Sequence, residues 1–131
     1  MYVATLSVDL WDGPIDRGSE YHHPHLMDIE NAIRSLDGRR RTLVVLGAEG
    51  AAHMAIGGDG RRCVVYATFD NVNFYNLVAP ESGSGMVQLI VGGQEGEYSA
   101  RHVVDIETAV RAARTFAQVG ALDEAYRWDE Q

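Results

Sequence analysis

The chain has 131 residues, of which 46% are apolar; this is the length and content of one domain with a single core, and it argues against extended disorder. The 19 acidic and 11 basic residues give a net charge of −8, which disfavours direct binding to nucleic acid or to an anionic membrane. No apolar run approaches the roughly 18 residues needed to span a bilayer, and no basic segment precedes the first apolar residues, so we expect a cytoplasmic protein with one domain over residues 1–131.

The N-terminal segment predicts a strand followed by a loop. Residues 2–11 alternate in polarity, which is typical of a half-buried strand. Residues 12–25 contain two prolines, two glycines and many polar groups, so we expect an irregular loop there. The apolar residues of the strand that are predicted to face the core are Ala4, Leu6, Val8 and Leu10.

An amphipathic helix is predicted from His25 to Leu36. Its apolar residues recur at spacings of three and four, and Asp28 and Glu30 suit the positive N-terminal end of a helix. Gly38 can adopt the left-handed conformation that ends helices, so we expect the helix to stop at Asp37-Gly38.

The middle of the chain predicts a run of antiparallel strands. Residues 42–48, 52–58 and 62–69 are strand-like and are joined by short turns, so neighbouring runs most simply pair as hairpins. The segment NFYNLVAP extends the third strand or forms another, and Pro80 with SGSG at 82–85 ends it. Two more strands are predicted in MVQLIVGG and EYSARHVV, on either side of a turn at GGQEG.

The last long element is a helix over DIETAVRAARTFAQVGAL. Its apolar residues keep the helical spacing, Asp105 can cap the first amides, and Gly120 is placed to end it. Together the elements predict an α+β fold, in which two α-helices pack on an antiparallel β-sheet of about five to seven strands.

No residue pattern predicts a metal site. His22, His23 and His25 lie within four residues, and imidazole is a common zinc ligand. However, they lie in a proline-containing loop, and no cysteine or HExxH pattern completes a ligand set, so a solvated loop is the favoured interpretation.

Catalytic and cofactor motifs are also missing from the sequence. Cys63, the only cysteine, has apolar neighbours and is predicted to be a buried thiol. The glycine-rich segments at 57–60 and 92–96 lack the lysine and Ser/Thr of a phosphate loop, so they are interpreted as turns. Carboxylate pairs occur, but a catalytic pair depends on a spatial separation that sequence does not give. We therefore expect no catalytic residue, no metal and no cofactor.

Aromatic residues are interleaved with small polar ones around residues 69–76. Such mixtures are typical of interfaces, although one exposed aromatic face of a strand pair is the favoured interpretation. Trp128, near the chain end, either holds that end on the core or lies in an exposed site, and we favour the first alternative.

The C-terminal half carries a family resemblance. Gly92, Gly93 and Gln94 follow a strand, then an AAxxFxxxG segment contains Phe116 and Gly120, and Trp128 is followed by an acidic residue. In this order and spacing, residues 87–130 resemble the immunity protein family numbered one among bacterial polymorphic toxin systems. The N-terminal half is similar only in outline.

The resemblance implies a cytoplasmic, non-enzymatic antidote. Such a protein binds a cognate secreted toxin domain, often a nucleic-acid deaminase in this family, and blocks its active site. It implies no catalytic residues, and it implies that the GGQ and tryptophan motifs are structural.

The net charge suits this function, because a toxin that acts on nucleic acid tends to present a basic groove onto which an acidic inhibitor is steered. We therefore expect the contact surface among acidic and aromatic residues of loops. The candidates are Trp11, Asp12, Asp16, Glu20, Asp70, Asn71, Glu95 and Glu97.

Two alternatives remain. A small ligand-binding or enzymatic domain would show a concave pocket that holds at least two acidic residues and a histidine. A regulatory scaffold would instead show a large exposed apolar patch.

Overall fold

A computed structural model describes residues 1–81 and 83–131 of the chain. These residues contain two α-helices and a set of antiparallel strands. The helices are α1 (Leu26–Arg34) and α2 (Ile106–Val119). The strands are β1 (Val3–Val8), β2 (Trp11–Asp12), β3 (Ile15–Asp16), β4 (Ser19–His22), β5 (Leu43–Ala48), β6 (His53–Gly58), β7 (Cys63–Thr68), β8 (Phe74–Leu77), β9 (Met86–Val91), β10 (Gln94–Ser99) and β11 (Trp128–Glu130).

Seven strands form the main sheet, in the order β11, β8, β7, β6, β5, β1, β4, and every neighbouring pair is antiparallel. Strands β9 and β10 form a second, two-stranded sheet, and β2 and β3 form a third. The predicted α+β class, with an antiparallel sheet and two helices, is confirmed. No helix in the described residues has the length and apolarity needed to cross a membrane.

The hydrophobic core lies between the two helices and one face of the main sheet. Leu46 and Ile56 from the sheet, Ile33 from α1 and Phe116 from α2 are all completely buried. Burial of each such side chain contributes about 1.5–3 kcal/mol. The alanines of α2 are buried as well, so this helix packs close to the sheet.

Strand β1 departs from the predicted alternation. Val3 and Leu6 are buried, although the sequence placed Val3 on the polar side. The register with β5 shifts between Val3 and Thr5. The extra residue in β1 reverses the alternation at that point, as β-bulges do.

The predicted loop at 12–25 is wrong for about half of its length. Strands β2 and β3 form a small hairpin around Gly13, and β4 pairs with β1 at the edge of the main sheet. The carboxylate of Asp16 accepts hydrogen bonds from the amides of Leu10 and Gly18, at 2.9 and 2.8 Å. The segment is polar and contains proline, so its sequence shows no strand pattern. Strand β4 lacks apolar alternation because it is exposed at the edge of the sheet.

Helix α1 ends earlier than predicted, at Arg34 rather than near Asp37. At its start, the Asp28 carboxylate accepts from the His25 amide at 2.8 Å. Leu36 is nevertheless buried, as the apolar spacing predicted. After the helix, the Asp37 carboxylate accepts from the amides of three successive arginines, which shapes a turn in place of a last helical turn.

The predicted run of antiparallel strands is confirmed, because β5, β6, β7 and β8 pair in chain order. Cys63 is fully buried, as predicted, and burial raises the pKa of its thiol to about 12. Ser82, the first residue of the predicted SGSG turn, lies outside the described residues.

Strands β9 and β10 lie across the face of the main sheet that is opposite the helices, which we call the open face. Val91 of β9 sits over Gly57, where any side chain would clash with it. The predicted strand EYSARHVV is partly wrong, because β10 ends at Ser99 and a 3-10 turn follows over Ala100–His102.

Helix α2 and the chain end match their predictions. The Asp105 carboxylate accepts from the Thr108 amide at 2.8 Å, and Gly120 ends the helix with a left-handed φ of 67°. Trp128 packs against the core and donates from Nε1 to the Asp123 carbonyl at 3.1 Å, so it holds the chain end in place.

Candidate functional site

The turn between β9 and β10 is locked to the start of β5 and to Trp11. Gly92 and Gly93 have φ values of 64° and 77°, which suit the two-residue turn of a tight hairpin. The Gly93 amide donates to the Thr42 hydroxyl at 3.0 Å, and the Trp11 indole lies against Gly93 so closely that a Cβ atom there would clash. The two glycines of the GGQ motif therefore allow the tight turn, and Gly93 also leaves room for the Trp11 indole.

A buried carboxylate completes this lock. Asp9 is 8% exposed and accepts hydrogen bonds from the Trp11 Nε1 at 2.7 Å, from the amides of Thr42 and Leu43, and from the Thr42 hydroxyl. A buried carboxylate with four donors is satisfied internally. We call Asp9, Trp11, Thr42 and Gly93 the tryptophan lock.

The predicted contact residues near the N-terminus lie beside the lock. Asp12 pairs with Arg17 at 3.0 Å, and Asp16 holds the loop around Gly18. Asp16 and Glu20 line one shallow depression on the open face. The structure thus brings Trp11, Asp12, Asp16 and Glu20 into one neighbourhood.

Asp70 and Asn71 lie at the opposite end of the strands, in the turn from β7 to β8. Strand β6 spans the distance between the two ends, which is about 20 Å for six residues. Asp70 accepts from the amides of Asn73 and Val72 and from the Asn73 side chain, and these hydrogen bonds lower its pKa to about 2. Asp70 therefore shapes its own turn, and it is not part of the neighbourhood around Trp11.

Glu95 and Glu97 share the outward surface of the β9–β10 hairpin. Their cross-strand partners are Ile90 and Gln88, on the side of the hairpin away from the sheet. Both glutamates are exposed, and neither forms a salt bridge or a side-chain hydrogen bond within the described residues. They are thus free to pair with a basic partner.

Five arginines in two adjacent turns were not predicted as a group. They are Arg39, Arg40 and Arg41 before β5 and Arg61 and Arg62 before β7, and Arg62 lines the same depression as Glu95. The two turns are in contact, since Gly38 lies against Asp59, and Arg40 donates to the Trp11 carbonyl at 3.1 Å. The triplet RRR and the pair RR are visible in the sequence, but only the strand pairing brings their turns together.

A groove of about 500 Å³ separates the β9–β10 hairpin from part of the open face. Its floor is formed by sheet residues that include Ala55, Tyr66 and Asn76, and its rim by Glu97, Tyr98 and Ser99. The side-chain nitrogen of Asn76 is buried and has no hydrogen-bond partner among the described residues. Sequence reasoning missed this groove because its two sides come from distant segments.

A second cavity, of about 470 Å³, lies between β1, β4 and α1. Asp9, Asp28, His22 and His23 line it, which is the combination that the ligand-binding alternative predicts. Asp9 accepts four hydrogen bonds from the chain itself, so its carboxylate is not a free binding group, and Asp28 accepts one, from the His25 amide.

Within the described ranges, no group of three or more His, Cys, Asp or Glu side chains is placed to hold a metal ion. His22 points into solvent, and the His25 amide takes part in the start of α1.

The remaining motif residues lie inside the fold. Phe116 is completely buried and meets the Tyr2 ring edge-on, with 5.5 Å between ring centroids. The same Tyr2 ring lies against Gly120. Gln94 is exposed, and no side-chain hydrogen bond of Gln94 is found in the described part of the chain.

Residues 18–130 match the family described as immunity protein Imm1. The matched region runs from β4 to β11 and contains the GGQ motif, Phe116, Gly120 and Trp128. It leaves out Trp11, Asp12 and Asp16. A comparison with curated proteins found no match.

Proposed function

The chain belongs to the Imm1 family of immunity proteins, and we propose that it is an antidote that binds a cognate secreted toxin domain and blocks its active site. The match over residues 18–130 carries this proposal. In the same proposal, residues 1–131 act as one cytoplasmic domain that works by binding, with no reaction and no cofactor of its own.

A nucleic-acid deaminase is the proposed target. Its support is the family resemblance together with charge, because an enzyme that holds nucleic acid presents a basic groove that an acidic protein can occupy. The net charge of −8 suits such a partner. Glu95 and Glu97 are the predicted contact residues whose carboxylates are free of internal bonds in the described chain, so they are the first candidates for that contact.

Co-expression tests the antidote function. The chain is expressed in bacteria together with the C-terminal domain of the secreted protein encoded immediately upstream. We expect survival of cells that otherwise die and co-purification of the two proteins in equal amounts. Death of the cells in the presence of folded protein and active toxin would contradict the proposal.

The acidic contact has a separate test. Replacement of Glu95 and Glu97 by lysine should lower the association rate with the toxin about tenfold at low salt, because steering is lost. The difference should shrink as salt is added. The control replaces Glu49 and Glu124 by lysine, which changes the net charge equally at two exposed sites away from the hairpin surface. Equal rates for the two double variants would remove Glu95 and Glu97 from the interface.

A further inference from the structure

Strand β10 has one paired edge and one unpaired edge. It pairs with β9 from Gln94 to Ser99, and no other strand in the described residues pairs with it. Residues that flank a two-residue hairpin turn exchange their backbone hydrogen bonds, so Gln94 bonds to Val91 across the turn. By alternation, Gly96 and Tyr98 bond to β9 as well, and Glu95 and Glu97 direct their amide and carbonyl groups away from it.

This unpaired edge borders the groove over the open face. Glu97, Tyr98 and Ser99 are consecutive residues of β10, and all three line the groove. The floor of the groove has apolar and aromatic surface from Ala55, Val64 and Tyr66. An added strand would find backbone partners on one side and space for its side chains on the other, which is the arrangement used when peptides extend a sheet.

Asn76 supplies a second, independent observation. Its side chain lines the same groove, and its buried Nδ2 has no partner among the described residues. Buried amides in folded proteins are nearly always hydrogen-bonded, so an exception calls for a reason. Rotation of this amide toward the groove would let it donate to a carbonyl of a bound segment.

The charged side chains of β10 determine which kind of strand can pair with its free edge. Two copies of β10 would place Glu95 and Glu97 against the same acids, and like charges on paired strands are destabilising. Charged side chains are one of the ways in which exposed edges avoid self-association. A segment with basic side chains would instead be stabilised at the same positions.

We propose that the free edge of β10 pairs with an extended basic segment of the cognate toxin, which becomes the third strand of the β9–β10 sheet and places its other side chains in the groove. This inference rests on the proposed function, because the partner is the toxin. It adds which backbone groups make the contact.

Amide hydrogen exchange tests the pairing directly. The amides of Glu95 and Glu97 are measured by NMR in the free protein and in its complex with the toxin domain encoded immediately upstream. We expect exchange at these two amides to slow by about a hundredfold in the complex, as in other paired strands. A stable complex in which both amides exchange as fast as before would overturn the pairing and leave the antidote function standing.

Two variants give a second test that uses affinity. Glu97→Pro removes the outward amide without removing a bond to β9, and Glu97→Gln removes the charge and keeps the amide. We expect the proline variant to bind at least about tenfold more weakly than the glutamine variant. Equal affinities of the two folded variants would contradict the pairing.

In the Asn76→Leu variant, leucine has nearly the same shape as the asparagine it replaces, and no side-chain hydrogen bond within the described chain is lost. It should leave the denaturation midpoint of the free protein unchanged or raised and should weaken the complex about fivefold or more. Unchanged affinity would exclude a role for the Asn76 amide. Absence of any complex between wild-type protein and active toxin would defeat the antidote proposal itself, and the pairing with it.

Discussion

Gly93 shows how a single residue can be required for two reasons at once. Its left-handed φ of 77° serves the turn, and its lack of a side chain admits the Trp11 indole. The indole cannot easily move, because its Nε1 donates to buried Asp9. The sequence predicted the turn, but the contact with Trp11 depends on residues 82 positions apart and could not be predicted.

Gly93→Ala should therefore destabilise the protein more than an ordinary turn glycine would. We expect a loss of about 2–4 kcal/mol from left-handed strain and overpacking together. The measurement is the free energy of unfolding in urea. Gly50→Ala is the matched control, since Gly50 has a φ of 75° and nothing within 4 Å of the added Cβ, and it should lose only about 1 kcal/mol.

Similar losses for the two glycine variants would mean that the indole adapts and that the tryptophan lock is not rigid.

The lock also changes how Trp11 is interpreted. The sequence predicts Trp11 as a candidate contact residue, and the structure shows that its half-buried indole also packs on Gly93 and donates to Asp9 within the molecule.

At the scale of elements, local sequence signals were sufficient wherever the element was regular and its ends were marked. Helix α2 has a capping aspartate, a helical apolar period and a terminal glycine, and it lies where these signals place it. Strand β4 has no apolar alternation, because it is exposed at an edge, and it was missed. Pairing with β1, rather than its own sequence, makes it a strand.

The start of α2 depends on Asp105. Hydrogen bonds from the Thr108 hydroxyl and amide hold the pKa of the Asp105 carboxylate below its usual range. Asp105→Ala should lower the free energy of unfolding by about 1 kcal/mol at pH 7, because first-turn amides lose their acceptor.

Urea denaturation checks this result, with Asp105→Asn as the control that keeps a side-chain oxygen at the cap. The loss should shrink as the pH falls through the folded-state pKa, because the protonated carboxyl group of the wild type is a weaker acceptor than the carboxylate. Identical stability of the alanine and asparagine variants at pH 7 would show that the cap does not stabilise the helix.

At the scale of the whole molecule, acidity has two separate uses. Asp70, Asp105 and Asp129 carry lowered pKa values because hydrogen bonds within the fold favour their charged forms. For Asp129 the donors are Arg101 first and then His102. Glu95 and Glu97 have no such partners in the described chain and remain available for binding. Net charge alone does not distinguish these structural acids from free ones.

The structural acids predict loss of stability in acid. A lowered folded-state pKa contributes stability that is present above the unfolded value near 4 and is lost as the pH falls through the folded value. The Asp70 pKa of about 2 places the loss between about pH 4 and pH 2. We expect the urea midpoint to be level from pH 7 to pH 5 and then to fall steeply.

The midpoint is followed by circular dichroism across this range at constant ionic strength. The double variant Glu95→Gln with Glu97→Gln should show the same fall, since these residues lack internal partners in the described chain. A midpoint that stays level down to pH 2.5 would contradict the role assigned to the structural acids.

The sequence by itself determined the fold class, the two helices, the run of antiparallel strands and the Imm1 family, because these depend on local periodicity and on motif order along the chain. Only the tertiary structure decided that the β9–β10 hairpin crosses the open face, that β10 keeps a free edge beside a groove, and that the predicted acids divide between opposite ends of the strands. These features join residues far apart in the chain. Strand order and register determine which of them meet, and alternation within one strand carries no information about either.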